Sequence, residues 1–138
     1  LGREETPILA YYASFERSVI EELSELFPDL ALELHALTSR LADPLTIVRS
    51  HTYYPGYRGS FSLKTVAPTL APELDYEKLD GVADGREASA AYWYIASGEI
   101  KDSDKKSLQR ELLDYCRLDT EALMKVHLEL RNLAGLRD

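Results

Sequence analysis

The stretch LLDYCRLDTEAL, residues 112–123, puts an aspartate where a core residue belongs. Leu108, Leu112, Tyr115, Asp119, Leu123, Val126, Leu130 and Leu133 follow one another at steps of 4, 3, 4, 4, 3, 4 and 3. That is the period of a helix face turned toward a core. An ionised carboxylate buried without a partner costs several kcal/mol, so Asp119 needs compensation. A basic side chain such as Arg49 or Arg58 can supply it, protonation can, or a divalent metal can, since hard cations take oxygen ligands. Tyr115 stands four residues earlier and points from the same helix face. A phenol beside a metal-bound carboxylate can orient an attacking water.

A second carboxylate invites the same question. Glu16 shares a helix flank with Ile20, Leu23 and Phe27, at steps of 4, 3 and 4. It is either a ligand or an acid stabilising the positive end of its helix, an effect of about 0.3–1 kcal/mol. Charge is also unevenly spread. The net charge is −8, yet from Pro44 to Pro72 there is no Asp or Glu, while Arg49, Arg58 and Lys64 occur together with His51. Tyr53, Tyr54, Tyr57 and Phe61 lie in the same stretch. Basic groups interleaved with aromatics can hold phosphates and stack on bases, which makes Arg49, Arg58, Lys64 and Tyr57 candidate nucleic-acid contacts. The competing interpretation is a Pro/Gly-rich loop whose tyrosines cover core edges.

The elements that must position these groups follow from pattern and punctuation. TPILAYY, residues 6–12, reads as a buried strand. Ser14 is the expected cap of the helix behind it, with Phe15, Val19, Leu23 and Leu26 facing the core and Pro28 ending it. A second helix is expected from about Asp29 to Leu41, with Leu30, Leu34, Leu37 and Leu41 on one face. Asp43 can cap a short helix after it, and a cap is the preferred role for this acid over a catalytic one. TYYPGYRGS is a loop. Ser62 then opens a short helix limited by Pro68. In DGREASAAYWYIASG, Asp84 caps, Glu87 completes a capping box and Gly98 stops the helix. Tyr92, Trp93 and Tyr94 are expected to anchor it in the core. The last helix runs from near Ser103 to about Asn132, with Cys116 buried beside its stripe.

One strand and five or six helices make no sheet. A strand feeding a capped helix is the α/β habit, so the expected class is α/β with further strands upstream. The opening residue is not methionine, which suggests a fragment of a longer polypeptide.

Three segments in order carry a family resemblance: YYASFE before a helix, GSFSLKTVAPTL in the middle and LLDYCRLDTEALMKV near the end. Together they resemble the DnaQ-like (DEDDy-type) 3′–5′ exonucleases of the RNase H-like fold. YCRLDTEAL is similar to the Tyr-x-x-x-Asp motif of that family, with Tyr115 and Asp119 in the matching places. SFE resembles its second motif, with Glu16 where Asp is usual and Tyr12 where Asn is common. The Asp-x-Glu of the first motif has no counterpart between residues 1 and 138. The combination also resembles a bacterial family of unknown function related to these enzymes.

The resemblance implies that residues 1–138 are the C-terminal portion of a single exonuclease-like domain, a partial RNase H-like fold without its N-terminal strands. It implies a two-metal phosphodiesterase using Mg2+ or Mn2+, with Glu16 and Asp119 as ligands and Tyr115 orienting the water. Glu16, Tyr115 and Asp119 are then the catalytic set, and nucleic-acid ends the substrate. With two family acids missing, the fragment is expected to bind metal weakly and have little activity. The rival is a non-catalytic interaction module with a degenerate exonuclease fold, favoured by Glu16, by the absent first motif and by the net negative charge.

Several classes are excluded or disfavoured. There is no Walker-type phosphate loop and no nucleophile elbow. His35, His51 and His127 are too dispersed for a zinc site. One cysteine forms no internal disulfide and suits a reducing, cytoplasmic setting. No apolar run is long enough to span a membrane. Exposed sheet edges in a fragment would favour self-association or packing with upstream residues.

Overall fold

The computed structural model describes residues 6–74, 76, 82 and 84–136. They form two compact units, Leu1–Phe61 and Ser62–Asp138.

The first unit holds β1 (Ile8–Leu9), α1 (Ala13–Leu26), α2 (Ala31–Ser39), β2 (Leu41–Ala42) and α3 (Pro44–His51). Short 3-10 turns at Pro28–Leu30 and Pro55–Tyr57 interrupt it. β1 and β2 pair in parallel, Ile8 with Leu41 and Leu9 with Ala42. The ladder is extended by Ile8 N to Arg40 O at 2.9 Å and Ala10 N to Ala42 O at 3.1 Å. The expected strand is therefore present but only two residues long. The lone-strand tally is corrected by β2, which takes Leu41 away from the helix face on which it was expected. α2 stops at Ser39, two residues before it. The chain is of α/β type, mostly helical with a small parallel sheet.

The cap of α1 also differs from the sequence expectation. The helix begins at Ala13, so Ser14 lies inside it. Tyr12 turns the chain in the left-handed region at φ 68°, an uncommon conformation for a bulky residue. What holds the turn is Asp43, from 30 residues further on. Its Oδ1 accepts from Tyr12 N and its Oδ2 from Ala13 N, both at 3.0 Å. The same carboxylate caps α3, with Oδ1 accepting from Leu45 N at 3.0 Å and Pro44 in the first helical position, where no N–H is needed. One side chain thus serves two helix starts at the C-terminal ends of two neighbouring strands.

The core of this unit is Ala10, Ala13, Leu45, Val48 and Tyr57. α1 packs on α2, and its inward edge is Ala13, half-buried Ile20 and Ser24. The ridge expected to face the core, Phe15, Val19, Leu23 and Leu26, is outside, with Phe15 61% exposed. Buried Ser24 and Thr38 satisfy their own helices, donating to Glu21 O at 2.7 Å and His35 O at 2.9 Å.

In the second unit α4 (Leu63–Leu70) and α5 (Gly85–Ser97) pack on α6 (Asp102–Leu133). α4 contributes Val66 and Ala67, α5 Ala91, and α6 Ala122, Val126 and Leu130, one residue per turn. The inward face of α6 follows the predicted stripe from Leu108 to Leu130, while Leu133 is exposed. Pro68 does not stop α4. It removes one amide donor, and the helix closes beyond it through Ala71 N to Ala67 O at 2.7 Å. α5 begins as the sequence indicates. Asp84 Oδ1 accepts from Arg86 N and Glu87 N at 2.8 and 2.9 Å, and Glu87 returns a carboxylate oxygen to Asp84 N at 3.2 Å. It ends at Gly98, whose φ of 75° suits a residue without a Cβ.

Tyr92, Trp93 and Tyr94 are not core anchors. Trp93 is 72% exposed, because the small Ala91 occupies the inward position of α5. Cys116 is likewise exposed, correcting the buried position expected for it. No helix among the described residues is long and apolar enough to cross a membrane.

Candidate functional site

Asp119 is half-buried on the inward flank of α6, and its compensation within the second unit is explicit. The Tyr76 phenol donates to Oδ1 at 3.0 Å. The Tyr115 hydroxyl, one helical turn earlier, is close enough for this carboxylate to act on it. Lys64, in the first turn of α4, places Nζ 5.0 Å from the Tyr115 ring centroid and 5.6 Å from that of Tyr76. Cation–π contacts at this range contribute about 0.5–1 kcal/mol or more. The aspartate is tolerated on an apolar stripe because the Tyr76 phenol donates to it, and the Lys64 ammonium lies over the Tyr76 and Tyr115 rings.

Electrostatics decide what the phenols can do. Burial is the larger influence and the adjacent Asp119 charge the next, and both raise the pKa of Tyr115 and of Tyr76 above the ordinary tyrosine value. Both hydroxyls therefore stay protonated at neutral pH. They act as hydrogen-bond donors and not as bases. Asp84 is close enough for its charge to be felt at Tyr115, and the Lys64 charge in turn helps hold Asp84 low, after the larger effect of its backbone hydrogen bonds. A second tether lies alongside. Lys125 Nζ meets Glu73 Oε1 at 2.8 Å, joining α6 to the segment that follows α4.

The first unit holds Glu16, in the first turn of α1. It is half-buried, and its Oε2 is fully covered with no hydrogen-bond partner among the described residues. Buried carboxylate oxygens are normally paired, so this atom is an exception. Asp43 is fully committed as the double cap, as the preferred interpretation of that residue required. Nearby, the Tyr11 hydroxyl donates to Phe61 O at 2.8 Å. Its pKa is raised by burial first, then by Tyr57 and Asp43, and lowered by Arg49.

The nucleic-acid candidates divide. Arg49, in the last turn of α3, and Arg58, in the left-handed region at φ 47°, are exposed. Lys64 is half-buried over the two tyrosine rings. Tyr57 is withdrawn as a stacking group, being 0% exposed. Its hydroxyl lies 3.1 Å from Thr52 Oγ1, and its ring meets Tyr53, Tyr54 and Phe61 edge-on at 6.5, 5.5 and 5.8 Å. The loop aromatics build a local core, and Tyr53 is the member left exposed.

The fold brings Tyr115, Asp119 and Lys64 together in the second unit, while Glu16, Arg49, Arg58 and Tyr57 belong to the first. Sequence reasoning missed Tyr76. Its stretch of sequence shows no apolar periodicity, and the signal there was an aromatic among acids. Among the described residues no group of three or more His, Cys, Asp or Glu side chains gathers as a metal cage.

A family model described as "Domain of unknown function (DUF2779)" matches residues 2–62, less than half the chain. The matched stretch nearly coincides with the first unit, so Glu16 and Asp43 fall inside it and Tyr115 and Asp119 outside. No curated protein and no solved structure matches the chain.

Proposed function

We propose that this chain belongs to a DnaQ-like 3′–5′ exonuclease domain of RNase H-like fold, hydrolysing phosphodiester bonds at nucleic-acid ends. The observation that carries this reading is the covered Oε2 of Glu16, in the first turn of the helix that follows β1, which has no hydrogen-bond partner among the described residues. A carboxylate oxygen shielded from water and given no donor is suited to a cation. Asp119 offers a second carboxylate with only part of its capacity used. The family resemblance makes Glu16 and Asp119 the residues that would hold Mg2+ or Mn2+, which when bound activates water and stabilises the leaving oxygen.

The remaining work falls to this chain's own groups. Tyr115 keeps its proton, and its hydroxyl oxygen can accept a hydrogen bond from an attacking water and so orient it. Lys64 supplies positive charge over the Tyr76 and Tyr115 rings, and Arg49 and Arg58 are exposed cations for the backbone of a bound strand. A single free thiol suits a cytoplasmic enzyme.

The test is digestion of 3′-labelled single-stranded oligonucleotides with Mn2+ by the full polypeptide that carries these residues. Asp119→Ala is expected to abolish digestion, and Tyr115→Phe to slow it by about 10²-fold or more, in the range of a lost positioned proton donor. Undiminished digestion by Asp119→Ala refutes the proposal. The 138-residue chain alone is expected to bind Mn2+ weakly in calorimetry.

A second reading has its own observation. The outward ridge of α1, from Phe15 through Leu26 and continuing to Phe27 and Leu30, is apolar and exposed. Such ridges mark interaction surfaces, so the same fold can serve as a non-catalytic module binding protein or nucleic acid. Partner binding that persists in Asp119→Ala, with no nuclease activity in the parent, would select it.

A further inference from the structure

The exposed ridge of α1 carries a charge pattern that selects what fits on it. Phe15, Val19, Leu23, Leu26 and Leu30 follow one another at steps of 4, 4, 3 and 4. Each is exposed, Leu26 by 71%. From Phe15 to Leu26 the row spans roughly three helical turns, about 16 Å. Between Phe15 and Leu30 stand five acids, Glu16, Glu21, Glu22, Glu25 and Asp29, and one base, Arg17. At about 3.6 residues per turn, Glu22 and Glu25 border the apolar row, whereas Arg17 points from the opposite face. Glu21, Glu22 and Glu25 are exposed and make no ion pair among the described residues. The packing of α1 on α2 leaves this face unused, because its Ala13 and Ser24 edge is the one turned inward.

A convex row of this spacing packs into the groove between the ridges of another helix. A second copy would set carboxylate against carboxylate, and a nucleic-acid backbone or an anionic bilayer would be repelled. We propose that the α1 ridge docks a basic amphipathic helix of a partner protein, with an apolar stripe of about three turns flanked by Lys and Arg that meet Glu22 and Glu25. This rests on the interaction-module reading and names its partner; the nuclease reading is independent of it.

The experiment is titration of the 15N-labelled full chain with two designed helical peptides that share one leucine stripe, one flanked by Lys and Arg and the other by Glu. The readout is the amide shifts of residues 15–30, with circular dichroism as the fold control. The basic peptide is expected to bind about 10-fold more tightly than the acidic one at low salt, and the difference to shrink in about 1 M salt. Leu26→Ser, at an exposed position, is expected to weaken the basic peptide by about 10-fold or more. The double variant Glu22→Lys/Glu25→Lys is expected to reverse the preference. Equal binding of the two peptides, or a preference that the double variant leaves unchanged, overturns the basic partner and leaves the interaction-module reading standing. Parent-like binding by Leu26→Ser overturns the ridge as the docking surface. Ridge shifts caused by a single-stranded oligonucleotide, or by concentrating the chain alone, overturn the proposal in favour of nucleic acid or a second copy. Absence of ridge shifts with peptides and oligonucleotide alike overturns both the proposal and the interaction-module reading.

Discussion

Replacing Asp43 by alanine should unfasten two helices at once. Its carboxylate accepts three backbone N–H groups at 3.0 Å, Tyr12 and Ala13 at the start of α1 and Leu45 at the start of α3. Loss of one capping aspartate costs about 0.5–2 kcal/mol. Two helix starts share this one, so Asp43→Ala is expected to cost about 1–4 kcal/mol, a large part of a typical domain stability of about 5–15 kcal/mol. Full values of about 1.5–3 kcal/mol for each hydrogen bond to a charged group would overstate the loss, because the Tyr12 contact is exposed. Asp43→Asn should cost about half as much. An amide oxygen can keep the two bonds made by Oδ1, while its NH2 confronts the Ala13 N–H. The assay is urea unfolding followed by circular dichroism at 222 nm, with the slope unchanged and the midpoint lowered. Ser14→Ala is the internal control, since Ser14 lies inside α1 and caps nothing; it should stay within about 0.5 kcal/mol of the parent. A cost for Asp43→Ala below about 1 kcal/mol, or equal to that of Ser14→Ala, would refute the double-cap reasoning.

Two other outcomes follow from burial. Tyr57→Ala should cost about 3–5 kcal/mol in the same assay, as for other fully buried aromatics, and Tyr57→Phe about 1 kcal/mol for the lost contact with Thr52; lower oligonucleotide affinity in Tyr57→Ala with an unchanged midpoint would contradict a packing role. Tyr11, Tyr57, Tyr76 and Tyr115 all have pKa values raised above 10.0, with burial the first cause in each. The folded state therefore holds their protons more tightly than the unfolded state, so their stabilising contribution is complete below about pH 10 and is lost as pH rises beyond it. Absorbance at 295 nm should show Tyr11, Tyr57, Tyr76 and Tyr115 ionising only as the protein unfolds; ionisation of these four near pH 10 in the native protein would contradict this.

Residues whose partners are close in sequence were legible. The capping box of Asp84 and Glu87, the glycine stop at Gly98, the cap of α3 at Asp43 and the inward stripe of α6 are all set within one or two helical turns, where periodicity and cap chemistry act directly. What failed were assignments that depend on which neighbour arrives. β2 is only two residues long and follows directly on α2, so it carries no alternation of its own. The ridge of Phe15, Val19, Leu23 and Leu26 has proper helical spacing, but packing against α2 turned the Ala13 and Ser24 edge inward. Trp93 and its flanking tyrosines look like core residues by composition, and Ala91 took the inward place.

The same division holds at the candidate site. Sequence alone established that Tyr115 and Asp119 share one helix face and that a charge on that stripe needs a partner, because i to i+4 geometry is local and the cost of burying a charge is general. Only tertiary structure decided who the partners are. Tyr76 lies 43 residues from Asp119 in a segment without periodicity, and Lys64 reaches the two rings because α4 packs on α6. Asp43 tells the same story: its cap of α3 is local and legible, while its hold on α1 exists only because two parallel strands end side by side.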